Sequence, residues 1–104
     1  MDLKQLTDLH GPSGNEQAVR RAIMEAAKPL ADEVKIDRSG NVICLKKGTN
    51  PDAPAVMVAA HMDEVGFIIA GYTEEGLLRF RPVGGIDPRV IVSKWVVIGE
   101  DKLP

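Results

Sequence analysis

A histidine and an aspartate two residues apart are the side chains of this sequence best suited to metal-assisted chemistry. His61 follows six small or apolar residues at 55–60, and Asp63 lies two positions further on. In an extended segment residues i and i+2 project to the same side, so the Asp63 carboxylate can accept the second ring N–H of His61. A metal-bound imidazole commonly donates its other nitrogen to a carboxylate. The spacing fits a metal ligand with its supporting carboxylate, and it also fits the commoner case of a strand-end histidine that only completes a turn.

Other chemically capable side chains have simpler interpretations. Glu64 is expected to be solvated or locally hydrogen-bonded. His10 precedes a Gly-Pro pair and is expected on the surface or in a packed loop. Cys44 is the single cysteine, so it cannot form an internal disulfide, and its apolar run predicts a small buried hydrophobe. Ser13 is interpreted as part of a helix start and not as a nucleophile.

Two helices are predicted to precede the strands. Leucines at 3, 6 and 9 recur at near-helical spacing until Gly11-Pro12 ends the turn. Ser13 and Glu16 then have the spacing of a capping box, in which the serine hydroxyl accepts from the Glu16 amide. Apolar residues from Val19 to Leu30 line one face of the second helix, and Pro29 predicts its end near Lys28.

The rest of the chain has the pattern of strands and turns. Residues 33–45 predict a hairpin around 38–41, and residues 55–60, apolar on both faces, predict a buried central strand. Three further strands are expected at 65–72, 77–83 and 89–98. The fold class is therefore α/β, with a boundary near Gly66 that separates a first unit, 1–65, from a β-rich second unit, 66–104.

Composition excludes several functional classes. Thirteen basic and fifteen acidic residues among 104 give a formal net charge of −2, which disfavours nucleic-acid binding. Apolar residues make up 44% and charged residues 27%, as in ordinary globular proteins. No apolar stretch is long enough for a membrane span, and the first residues lack the pattern of a signal peptide, so a cytoplasmic location without membrane partners is expected.

Four motifs in order resemble those of one enzyme family. They are GPSGNE at 11–16 with VR at 19–20, DRSGNV at 37–42, AAHMDEVGF at 59–67, and VGGID at 83–87. Together they resemble the M42 metallo-aminopeptidases, the glutamyl and deblocking aminopeptidase group. The resemblance extends over essentially the whole chain.

The resemblance implies an enzyme that removes N-terminal residues from short peptides with two Zn²⁺ or Co²⁺ ions and an activated water. By position, His61 matches a metal ligand and Asp63 its supporting carboxylate in the catalytic site. It further implies that 1–65 opens a mixed-sheet catalytic domain, that 66–104 begins a small β-barrel-like inserted domain, and that dimers assemble into a dodecamer. Only one family metal ligand is matched, so the 104-residue chain is expected to be an opening portion that is inactive alone.

Two other hypotheses remain open. The chain could be a non-catalytic β-rich fragment that binds a partner or self-associates through unpaired strands. It could also belong to a different metallohydrolase, a dipeptidase or deacylase, that shares an H-x-D strand end.

Overall fold

Two helices and four strands form the regular part of the protein, in a computed structural model that describes residues 2–99 and 103. Helix α1 spans Leu3–Thr7 and α2 spans Gln17–Ala27; the strands are β1 (Glu33–Ile36), β2 (Val42–Leu45), β3 (Gly66–Tyr72) and β4 (Leu78–Val83). A 3₁₀ turn follows at Pro88–Val90. The α/β class expected from the sequence is confirmed, with the strands in two separate two-stranded antiparallel sheets. The barrel-like character of the second unit and the boundary near Gly66 stay predictions.

Local sequence signals explain the helix ends. Asp2 caps α1 by accepting from the Gln5 amide at 2.8 Å, while the Gln5 side chain accepts from the Asp2 amide. Helix α2 ends at Ala27, with Lys28 as its C-cap, two residues before Pro29, as predicted. Its apolar face carries Val19, the buried hydrophobic residue among the described residues, and the helix packs against β2.

The first hairpin is organised by one carboxylate. Asp37 accepts from the Ser39 and Asn41 amides, both at 2.9 Å, and from Asn41 Nδ2 at 2.8 Å. These bonds hold the pKa of Asp37 below its ordinary value, and the bond from the Asn41 side chain has the largest effect. The strands then pair from Ile36 opposite Val42 to Glu33 opposite Leu45, which confirms the predicted hairpin. Cys44 lies on β2 and is exposed, so its expected burial is wrong, because no second layer covers that position within the described chain.

The second hairpin joins β3 to β4 through a turn at 73–76. Gly76 adopts φ +82°, which favours glycine, and Thr73 accepts from the Leu77 amide through its hydroxyl at 3.1 Å. A bulge between Ile69 and Gly71 interrupts the ladder. Phe67 on β3 and Phe80 on β4 pack edge to face, with ring centroids 4.7 Å apart. The two strands predicted here are confirmed within a residue or so.

Two predicted strands are absent from the described residues. Residues 54–63 form no strand, and Val56, Met57 and Val58 are almost fully exposed, because no neighbouring strand pairs with them. At 89–98 the chain instead forms the 3₁₀ turn, since Pro88 follows Asp87, whose carboxylate accepts from the Arg89 amide at 3.0 Å. An isolated bridge pairs Ile98 with Leu103.

Within the described residues, neither helix approaches the length that crossing a bilayer requires.

Candidate metal-binding site

The ring of His61 is held on one side by Asp63. Its Nδ1 lies 3.0 Å from Asp63 Oδ1 and 3.0 Å from the Asp63 main-chain oxygen. A carbonyl oxygen and an ionised carboxylate only accept hydrogen bonds, so Nδ1 must carry the proton. In the neutral ring the lone pair then lies on Nε2. The His61 side chain is 85% exposed, which leaves that nitrogen accessible.

Asp63 is also held by Ser13, fifty residues earlier in the chain. The Ser13 hydroxyl donates to Asp63 Oδ2, the oxygen that His61 does not contact. The hydrogen bond from Ser13, followed by that from His61, keeps the pKa of Asp63 below its ordinary value. Asp63 is therefore ionised at neutral pH, with each carboxylate oxygen committed to a different donor.

The predicted capping role of Ser13 is wrong. Helix α2 starts at Gln17 with Glu16 at the N-cap, and no side chain caps it. Instead, the Pro12 carbonyl accepts from the Asn15 amide at 2.8 Å, and Gly14 has φ +88°. The resulting β-turn places the Ser13 hydroxyl toward Asp63, away from the helix amides. A nucleophilic role finds no support, because the hydroxyl proton is directed at a weakly basic carboxylate and not at the imidazole.

Glu64 joins the two segments that carry Ser13 and Asp63. Its amide donates to the Gly11 carbonyl at 2.9 Å, and its Oε1 accepts from the Gly11 amide at 3.1 Å. Pro12 and Glu64 form a parallel bridge at the same place. Glu64 is therefore a hydrogen-bonded carboxylate, but its partner lies 53 residues earlier in the chain and is not the local one that was expected.

The pairing of Gly11 with Glu64, called the junction below, is packed closely against α2. Gly11 is buried, and a Cβ there would lie 2.6 Å from Val19 Cγ2, so the helix approaches as closely as it does only because the residue is glycine. At the next residue, Arg20, Nε donates to the Gly40 carbonyl at 2.8 Å and the guanidinium lies 3.4 Å from Glu16. Three of the four sequence motifs thus meet around α2.

The fourth motif contacts the third. Gly84 adopts φ +87°, and a Cβ on it would lie 3.0 Å from Val65 Cγ1. Gly66, at the start of β3, pairs with Val83. The residues after Asp63 are therefore held by the second hairpin and by Gly11 and Pro12, which lie between the two helices.

An apolar cavity of about 280 Å³ adjoins the histidine and aspartate. Its walls come from α1 and the turn after it, from the apolar face of α2, and from the segment between His61 and Glu64. The lining residues are Leu3, Leu6, Thr7, Leu9, Gly11, Val19, Ile23, His61, Met62, Asp63 and Glu64. His61 and Asp63 therefore line an apolar cavity while the His61 side chain stays largely exposed.

The remaining candidates lie elsewhere. His10 lines a separate polar cavity of about 450 Å³ with Arg21 and Asn15, and it has no contact with the pair. Among residues 2–99 and 103, no three His, Cys, Asp or Glu side chains form a group that could hold a metal ion. The donor set therefore fits one ligand position of a divalent ion, a neutral imidazole nitrogen backed by a carboxylate, and it does not fit a closed two-metal site by itself.

Ser13 is the site residue that the sequence interpretation missed. A serine three residues before a glutamate has the same spacing in a capping box and in a turn, so the motif alone does not distinguish the two. The distinguishing feature is Gly14, whose left-handed conformation favours a turn over a direct helix start.

The family model of the M42 glutamyl aminopeptidases matches residues 40–103. A lysyl aminopeptidase of Pyrococcus furiosus is 41% identical over 95 residues, covering 90% of this chain and 27% of its own length. A glutamyl aminopeptidase of Lactococcus lactis is 36% identical over 89 residues, covering 86% and 25%. The chain spans about a quarter of the length of these curated relatives.

Solved structures agree with this fold. A TET aminopeptidase from a marine-sediment thaumarchaeon has a TM-score of 0.76 and 41% identity, over 85% of this chain and 24% of its own. A Thermotoga maritima protein described as an endoglucanase has a TM-score of 0.78 and 42% identity, over 86% and 29%. PhTET1-12s, solved as a dodecamer, has a TM-score of 0.68 and 41% identity, over 84% and 27%. The chain is a mixed α/β protein of the aminopeptidase type, and it belongs to the M42 glutamyl aminopeptidase family.

Proposed function

We propose that this protein acts in a metal-dependent aminopeptidase that releases N-terminal residues from short peptides, with His61 as a metal ligand and Asp63 as its supporting carboxylate. The observation that carries the proposal is the Nδ1 contact with Asp63, which directs the Nε2 lone pair outward. The pair lies within the segment that the M42 family model matches.

The role of the protein side chains follows from that contact. Asp63 holds His61 in the tautomer that can bind a cation. Bound Zn²⁺ or Co²⁺ would supply a Lewis acid and a water of lowered pKa. In this proposal two such ions act together, and their other ligands come from outside the His61 and Asp63 pair.

The second unit, 66–104, is proposed to serve self-association. In support, β3 and β4 form a sheet of their own that shares no strand with β1 and β2 within the described residues. The dodecameric PhTET1-12s matches this chain structurally. We expect a homo-oligomer in the cytoplasm, and light scattering of the purified protein measures its mass.

The site proposal is tested in the complete polypeptide that carries these residues. His61→Ala is expected to remove nearly all hydrolysis of lysyl and glutamyl anilides, because one ion loses a protein ligand. Asp63→Asn is expected to lower metal affinity about 10- to 100-fold. Steady-state assays at controlled Zn²⁺ or Co²⁺ measure the first, and chelator competition measures the second.

His10→Ala is the matched control, since the second histidine has no contact with the pair. It is expected to keep wild-type turnover and metal affinity. Wild-type activity in His61→Ala would contradict the site assignment.

A further inference from the structure

We propose that Ser13 is a positioning residue that fixes the Asp63 carboxylate and, through it, the tautomer and orientation of His61. This inference rests on the proposed role of His61 as a ligand, and it assigns to Ser13 a function beyond the turn in which it lies. The geometry that supports it is a chain of two contacts: Ser13 Oγ to Asp63 Oδ2, then Asp63 Oδ1 to His61 Nδ1 at 3.0 Å.

A carboxylate with one hydrogen-bond donor can rotate and offer either oxygen. Here the two oxygens have different donors, so rotation of the Asp63 group would break both contacts. The Asp63 main-chain oxygen also accepts from Nδ1, but it is part of the backbone and cannot fix the plane of the carboxylate. Ser13 is the donor that defines that plane.

The position of Ser13 is itself held by its neighbours. The Pro12 carbonyl accepts from Asn15, and Glu16 Oε1 accepts from the Gly14 amide at 2.5 Å, which closes the turn on both sides of the serine. The bridge between Pro12 and Glu64 ties the turn to the segment that follows Asp63. The hydroxyl is therefore presented from a constrained backbone.

The site is solvent-exposed, so water competes for the same oxygen. Side-chain geometry can still matter, because a water molecule is not attached to the backbone and does not hold the carboxylate in one plane. Partners behind metal ligands typically change metal affinity by 10- to 100-fold when removed. Because the main-chain oxygen of Asp63 remains, we expect Ser13 to act at the lower end, about tenfold.

The test compares Ser13→Thr with Ser13→Val in the metal-free full chain, since these side chains have nearly the same shape and differ in the hydroxyl. Imidazole ¹⁵N chemical shifts report which ring nitrogen of His61 is protonated. We expect Ser13→Thr to keep the Nδ1-protonated form and Ser13→Val to shift population to the Nε2-protonated form. Ser39→Ala, which removes an exposed serine hydroxyl from the first hairpin turn, is the control and should leave His61 unchanged.

The amide resonances of Gly11 and Glu64 report whether the junction itself is intact in each variant. With that junction intact, an unchanged tautomer population in Ser13→Val overturns the proposal. If Ser13→Val alters the junction, Ser13→Ala provides the same comparison with a smaller side chain, and an unchanged tautomer there overturns it equally. This failure is distinguishable from failure of the aminopeptidase proposal, which would show as unchanged activity in His61→Ala.

Discussion

At the scale of single residues, the site depends on contacts that only small or specific side chains allow. Gly11 shows this most directly, because its missing Cβ lets Val19 pack against the backbone that Glu64 pairs with. Valine is stiff at χ1, so Val19 has little freedom to move aside. The junction that carries Ser13 therefore depends on a glycine that takes no part in chemistry.

Gly11→Ala is predicted to loosen this junction. The added methyl group would lie 2.6 Å from Val19 Cγ2, and such overpacking typically costs about 1–3 kcal/mol. Hydrogen exchange of the Glu64 amide, which donates to Gly11, should accelerate by at least about fivefold. Gly48→Ala is the control, because a Cβ at Gly48 meets no atom within 4 Å. Equal exchange rates in the two variants would contradict the packing argument.

At the scale of elements, each hairpin is organised by its own turn. In the first, Asp37 accepts three hydrogen bonds from residues within four positions, so the turn forms from local chain alone. Arg20 on α2 then donates a hydrogen bond to the Gly40 carbonyl, which links that turn to the helix. The hairpin is local in origin and is positioned by one long side chain.

Acid is predicted to weaken the first hairpin. Since the pKa of folded Asp37 lies below its ordinary value of about 3.9, its contribution is complete above that value and is lost as the pH falls through the folded pKa. The Asn41 amide resonance should therefore titrate with a midpoint below about 3.9. Asp37→Asn should abolish this acid-dependent change. A midpoint at or above the ordinary value would show that the Asp37 contacts do not stabilise the carboxylate.

At the scale of the whole molecule, the described chain is elongated and has little interior. Its radius of gyration is 18.2 Å, against about 13 Å for a compact domain of this length. Its accessible surface is 8964 Å², against about 5,700 Å² for a folded monomer of this mass. Large apolar side chains such as Val58 and Trp95, each 92% exposed, account for part of the difference.

This exposed surface is predicted to make the 104-residue chain associate. Residues 55–60 carry apolar side chains and have no strand partner among the described residues, which is a template for pairing with other chains. Light scattering should show an average mass above 11.2 kDa that rises with concentration. Val58→Lys should lower that mass, whereas Lys47→Arg, a charge-conserving exposed change, should not. A monomer at all concentrations would contradict this prediction.

The same chain is predicted to bind Zn²⁺ only weakly and to show no peptidase activity alone. One imidazole with a supporting carboxylate cannot supply the roughly 10–16 kcal/mol that closed zinc sites contribute. Titration calorimetry with Zn²⁺ should show no high-affinity binding, and leucyl and glutamyl anilides should remain uncleaved. Stoichiometric high-affinity binding, or turnover that depends on added metal, would show that this chain already holds a complete site.

Much of the local structure could be predicted from the sequence, because it depends on neighbours within a few residues. The C-terminal end of α2, the hairpin around Asp37 and the turn at 73–76 follow from proline, glycine and side-chain signals that act over short distances. The i, i+2 relation of His61 and Asp63 is equally local. These features would form in much the same way wherever the segments were placed.

The tertiary structure decided what depends on distant partners. Residues 55–60 have a strand pattern, but a strand requires a neighbour to satisfy its backbone hydrogen bonds, and the described chain provides none there. Ser13 has the spacing of a helix cap, yet its hydroxyl meets a carboxylate fifty residues away because the pairing of Gly11 with Glu64 brings the two segments together. The ligand-like histidine was therefore visible in the sequence, whereas the serine that steadies its carboxylate became visible only once the chain was folded.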